Sequence, residues 1–241
     1  TGFIECVYTR KAGGNMRVIF NEEMRAVADD LDTMAQDVRR AINLSCTALL
    51  KSDVEAAQSV IDGDSAIDNL ESSILDQCVK LLAKQNPVAT DLRVVVSTMR
   101  LASTFERMGD LARHLAEAAR RTYPQSAITP DAMPLFTQMG DFLTVMADRM
   151  VSMLADRDAK TAEQIILSDD QLDALHHKTF DLVLADDWTG SRQDLINVVL
   201  LARFMERLGD HAVSAARRVV YIVSGFDPTK EPSRDEGTDI D

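Results

Sequence analysis

The 241-residue sequence is poor in the residues that bend and cross-link a chain. It has 10 glycines and 6 prolines, well below ordinary usage, which argues against a turn-rich sandwich or barrel and for long uninterrupted elements, that is, helices. The three cysteines, Cys6, Cys46 and Cys78, are odd in number and too far apart for a Cys-Xaa-Xaa-Cys metal or redox motif, so they are expected to be free thiols in a reducing compartment. There is one Trp, Trp188, in an expected loop, and aromatics make up 5% of the chain, which provides no stacking platform for bases. Positive charge is scarce as well: 26 Lys and Arg face 39 Asp and Glu, a formal charge of −13 that excludes a broad electrostatic grip on nucleic acid or anionic lipid. No run approaches 18 apolar residues, so no membrane insertion is expected. The first fifteen residues lack the apolar core and cleavage site of a secretory signal, and a cytoplasmic protein is expected.

Apolar residues are nevertheless plentiful, at 46%, and from Asn21 onward they recur every three or four positions. Breaks fall near residues 51–53, 85–87, 123–130, 156–158 and 186–191, which predicts six helices over 21–51, 53–84, 90–122, 130–156, 158–186 and 191–224. Capping chemistry marks several starts: Ser52 with Glu55, Thr90 before Asp91, Thr129 ahead of Pro130, and Ser191 with Asp194. Residues 1–15 read as an expression remnant or an upstream extension of the reading frame. Residues 226–241 read as a disordered acidic tail.

The chain also resembles itself. Leu101, Ala102, Glu106, Arg107, Gly109 and Asp110 recur one hundred positions later as Leu201, Ala202, Glu206, Arg207, Gly209 and Asp210. Upstream the offset is 105, pairing Leu49 with Leu154, Asp53 with Asp158, Ala57 with Ala162, Asp64 with Asp169 and Asp68 with Asp173. The expected architecture is all-α: two tandem three-helix bundles related by pseudo-two-fold symmetry, over residues 16–124 and 129–225.

The repeated acids are the candidate site. Glu106 and Asp110, like Glu206 and Asp210, are four apart and project from one face of the third helix of each unit, beside its apolar stripe. On the second helices Asp64, Asp68 and Glu71, and likewise Asp169, Asp173 and His176, lie in a similar stripe. Two carboxylates about 6 Å apart repel by roughly 3 kcal/mol at an effective dielectric of about 20, so such a seam needs a shared proton, arginines or a cation. Arg100, Arg107, Arg203 and Arg207 are the arginines within sequence reach, although Arg107 and Arg207 follow their Glu directly and so point about 100° away. Carboxylate cages suit magnesium, calcium, manganese or iron. Gly109 and Gly209, costly in mid-helix, imply a close approach by a helix or a ligand. His114 and His176 fall within ligand reach of the acids, whereas His177 and His211 are expected to be structural. Met139, Met146, Met150 and Met153 read as core.

The two Glu-Arg-Xaa-Gly-Asp segments, together with Pro-Val-Ala-Thr-Asp-Leu-Arg at residues 87–93, resemble the PhoU family over about residues 16–225. The resemblance implies a cytoplasmic negative regulator of the phosphate-specific transport system, acting when phosphate is plentiful. It would contact the transporter's ATPase subunit and the phosphate-sensing histidine kinase, with a homodimer as the expected assembly. It also implies metal ions, such as iron, zinc, manganese or magnesium, held by Asp64, Asp68, Glu106 and Asp110 in one cluster and by Asp169, Asp173, Glu206 and Asp210 in the other. Repeat two departs from the pattern: residues 191–195 read Ser-Arg-Gln-Asp-Leu, and His176 stands where repeat one has Glu71. No catalytic step is expected, since there is no phosphate-cradling glycine loop and no nucleophile elbow. Two alternatives are a ferritin-like di-metal oxidase, disfavoured because no Glu-Xaa-Xaa-His occurs, and a metal-free helical adaptor with its acids paired to Arg.

Overall fold

The computed structural model describes residues 14–156 and 158–225, with side chains from residue 19 onward except that of Asp169. The expected N-terminal extension (save its last two residues, Gly14 and Asn15) and acidic tail, and Cys6, lie outside the described residues. Among those described, every regular element is helical: α1 (Gly14–Lys51), α2 (Val54–Gln85), α3 (Thr90–Thr122), α4 (Met133–Asp156), α5 (Ala159–Leu167), α6 (Asp169–Val183) and α7 (Arg192–Ser224). None is long and apolar enough to cross a membrane.

Local chemistry sets the boundaries. Ser191 and Asp194 form the expected reciprocal capping box at the start of α7. The cap of α2 is Asp53 rather than Ser52, its carboxylate accepting from the backbone N–H groups of Glu55 and Ala56. Its repeat counterpart Asp158 caps α5 in the same way. The fourth helix begins at Met133, three residues later than Pro130, after a turn in which the Thr129 carbonyl accepts from Ala132 and Met133. The rod expected over 158–186 is two helices meeting at Ser168, whose hydroxyl donates to the Ile165 carbonyl at 2.8 Å. Ser168 is a short polar residue of the kind that bonds the backbone locally and interrupts a helix.

α1, α2 and α3 pack on one another, and α4, α5–α6 and α7 form the second group. The two bundles join along α1 with α4 and along α3 with α7. Both joints are antiparallel: Arg39 meets Asp148 while Leu50 lies at Gly140, and Arg93 reaches the Ile222 carbonyl while His114 stacks on Phe204. One continuous apolar core runs through both bundles. Phe105 and Phe136 are fully buried in it, as are Met139, Met150 and Met153.

The mid-helix glycines are explained by helix contact. A Cβ on Gly109 would lie 3.1 Å from Ile67 Cδ1 of α2, and one on Gly209 would lie 2.7 Å from Leu172 Cδ2 of α6. Gly63, by contrast, faces open space. Gly63→Ala should therefore raise stability by about 0.5–1 kcal/mol through helix propensity alone. Gly209→Ala should lower it despite the same gain, because Leu172 is buried and has little room to move. Chemical denaturation of the two variants checks the opposite signs.

Cys46 and Cys78 are buried free thiols, and burial pushes each thiol up to about 12. The nucleophilic thiolate is absent at neutral pH. Both should resist a maleimide in the native protein and react promptly in denaturant, which peptide mapping would resolve. Native labelling of either would contradict this burial.

Candidate metal centre

Two carboxylate seams result from the close approach at the glycines, one between α2 and α3 and the other between α6 and α7. In the first, the structure brings Asp64 of α2 beside Asp110 of α3 through an arginine that the sequence reading did not single out. Arg113 Nε lies 2.6 Å from Asp64 Oδ2, and its terminal nitrogens donate to Asp110 Oδ1 at 2.9 Å and Glu117 Oε1 at 2.8 Å. Arg107 also swings back along the helix, with 3.4 Å contacts to Glu106 Oε2 and Asp110 Oδ2. The 100° offset at Cβ is overcome by the length of the side chain. Glu71 accepts from Ser103 Oγ at 2.8 Å, and Asp68 is exposed.

The charges in this seam are therefore partly neutralised by the protein itself. Burial opposes ionisation of Asp110, but hydrogen bonds and charge from Arg113, aided by Glu106 and Arg107, outweigh it and hold the carboxyl below its usual range. Asp64 stays above its usual range because burial, with the Asp68 and Asp110 charges, exceeds the pull of Arg113. Burial likewise raises Glu106, with Arg107 opposing and Asp110 adding.

The second seam lacks that arginine. Oxygens of Asp173, Glu206 and Asp210 lie within 4.8 Å of one another, the only such group of three His, Cys, Asp or Glu donors among the described residues. Glu206 is 7% exposed; Arg203 donates to one of its oxygens, and the other, Oε2, is buried without a hydrogen-bond partner. Burial raises its pKa, with Asp210 and Asp173 adding and Arg203 opposing. Asp169 opens α6, and its side chain lies outside the described ones.

Of the histidines, His114 stacks on Phe204 with ring centroids 5.3 Å apart, and its Nδ1 lies 3.4 Å from Glu117 Oε2. His176 is buried with Nε2 unpartnered. Burial, then Arg203 and His177, holds it below its usual pKa, favouring the neutral ring.

A family model, the PhoU domain, matches residues 31–119 and again 136–219, which include Asp64, Asp68, Glu106 and Asp110 in the first match and Asp173, Glu206 and Asp210 in the second. The chain belongs to the PhoU family. It is 33% identical to the phosphate-specific transport system accessory protein PhoU homolog 2 of Mycobacterium tuberculosis, over 88% of this chain and the whole of that protein. It is 32% identical to homolog 1 of the same species, over 90% of this chain and 98% of that one. PhoU from Pseudomonas aeruginosa superposes with a TM-score of 0.79 at 27% identity, covering 86% of this chain and all of that one. The PhoU structure from Streptococcus pneumoniae gives 0.75 at 25% identity, with 86% and 98% covered.

Within this PhoU chain the missed residue had a legible signal. At the offset of one hundred, Arg113 aligns with Val213, Glu117 with Arg217 and Ser103 with Arg203. The repeats thus share their acids while their charges diverge at these three positions.

Glu206 supplies a pH test. Its raised pKa means that the folded state gains by protonating it; that gain is present below the ordinary carboxyl value of 4.5 and is lost as pH rises through the raised one. In metal-free protein, Glu206→Gln should therefore raise Tm at pH 7.5, by roughly 2–4 °C for each kcal/mol recovered. The advantage should shrink as pH falls toward 4.5. An unchanged or lower Tm at pH 7.5 would contradict the assigned cause.

Proposed function

We propose that the protein is a cytoplasmic accessory regulator of phosphate uptake and of the phosphate-starvation response. It acts without catalysis, by contacts with the transporter's ATPase subunit and the phosphate-sensing histidine kinase, and works as a homodimer. The observation that carries this reading is the match of both repeats to the PhoU domain, with near-complete coverage of relatives described as phosphate-specific transport accessory proteins. The all-helical frame supports it by offering long, rigid surfaces for partners.

Metal binding belongs to the same reading. The donor set that supports it best is Asp173, Glu206 and Asp210, because the orphaned Glu206 oxygen in a three-carboxylate cluster is the kind of buried charge a cation relieves. An ion there would cross-link α6 to α7 and neutralise the cluster, supplying rigidity rather than reactivity. The oxygen-rich set fits iron, manganese or magnesium, and zinc in the presence of a nearby imidazole.

Deleting the gene should switch on a phosphate-starvation reporter in phosphate-rich medium, and the tagged protein should co-purify with the ATPase and the kinase. A reporter that stays silent in the deletion strain would overturn the regulatory role.

A further inference from the structure

We infer that the two seams, although they occupy equivalent places in the repeat, are neutralised by different means. Arg113 is the built-in cation of the first, and the second takes a single borderline divalent ion, so that each chain carries one ion rather than two. This rests on the metal reading above and adds to it the count and the part played by Arg113.

In the first seam a guanidinium already stands where an ion would serve. Its nitrogens meet carboxylates from two helices, Asp64 of α2 and Asp110 and Glu117 of α3, at 2.6 to 2.9 Å. The contacts to Asp110 and Glu117 are hydrogen bonds, the Nε contact to Asp64 is a charge contact without hydrogen-bond alignment, and the guanidinium cannot be deprotonated to make room for a metal. Glu106 is also engaged by Arg107 and Glu71 by Ser103, while Asp68 is exposed. A cation entering there would face a fixed positive charge and would have to compete with it for the same oxygens.

The second seam is the converse. Val213 stands in place of Arg113, so no guanidinium occupies the equivalent position. Two polar side chains at least nine-tenths buried are left without partners on their inner atoms: Glu206, through Oε2, and His176, through Nε2, on the turn of α6 that follows Asp173. Arg203, whose side chain is half-exposed, engages one Glu206 oxygen and leaves the other open. The three carboxylates form the donor set, with the His176 imidazole on the next turn of α6, and so few donors suit zinc, manganese or ferrous iron better than calcium, which takes six to eight oxygens.

Zinc titration of the full chain tests this, with ions per chain counted by elemental mass spectrometry after dialysis against zinc-free buffer. The wild type should retain one zinc, Glu206→Gln with Asp210→Asn none, and Glu106→Gln with Asp110→Asn still one. Arg113→Val, which imports the residue of the second repeat, should raise the count to two. Arg113→Gln provides a polar second variant if the valine form melts, and in either form zinc should raise the melting temperature by more than it does in the wild type. Two zincs in the wild type, loss of the ion from the Glu106–Asp110 double variant, or a count that stays at one in both Arg113 variants would overturn the inference while leaving metal binding intact. No zinc in any form would overturn the metal reading itself.

Discussion

Negative charge at the border of an apolar helix contact is the constraint around which this molecule is arranged. α2 lies close to α3, and α6 to α7, because Gly109 and Gly209 leave room for Ile67 and Leu172. That closeness removes water from Glu106 and Glu206, each one turn before its glycine. A carboxylate half out of water beside others of its kind is tolerable only when something positive is within a few ångströms. The packing that stabilises each bundle thus creates the electrostatic demand.

The two repeats meet that demand unequally, and the inequality follows from few residues. With Arg113, the first seam becomes an internally paired network spanning two helices, in which Asp110 is held ionised. With Val213 at the equivalent position and His176 in place of Glu71, the second keeps an unpartnered carboxylate oxygen and an unpartnered ring nitrogen in the interior. Pseudo-symmetry of the backbone does not carry over to the chemistry.

Much of the frame was legible in the sequence because helical periodicity is a local property. The spans of α2, α3 and α7 were predicted to within a residue or so, as was the Ser191–Asp194 cap. The break at Ser168 was not, because apolar spacing continues across it and the mark of the stop is a single short polar side chain, that of Ser168, bonding backward. The late start of α4 was missed for a related reason: Pro130 is compatible with a first helical turn, and the turn that precedes Met133 depends on the Thr129 carbonyl.

The sequence by itself determined that the chain is a doubled set of long amphipathic helices and which faces carry the acids, since both follow from residue spacing along one rod. It also marked Gly109 and Gly209 as places of close approach. Only the tertiary structure decided that helices fill that space, that Arg107 bends back to its own turn, and that Arg113 joins Asp64 to Asp110 across two rods. The physical reason is reach: a long flexible cation selects its partners among several within its radius, and which of them is nearest depends on how the helices pack, not on the order of residues along either one.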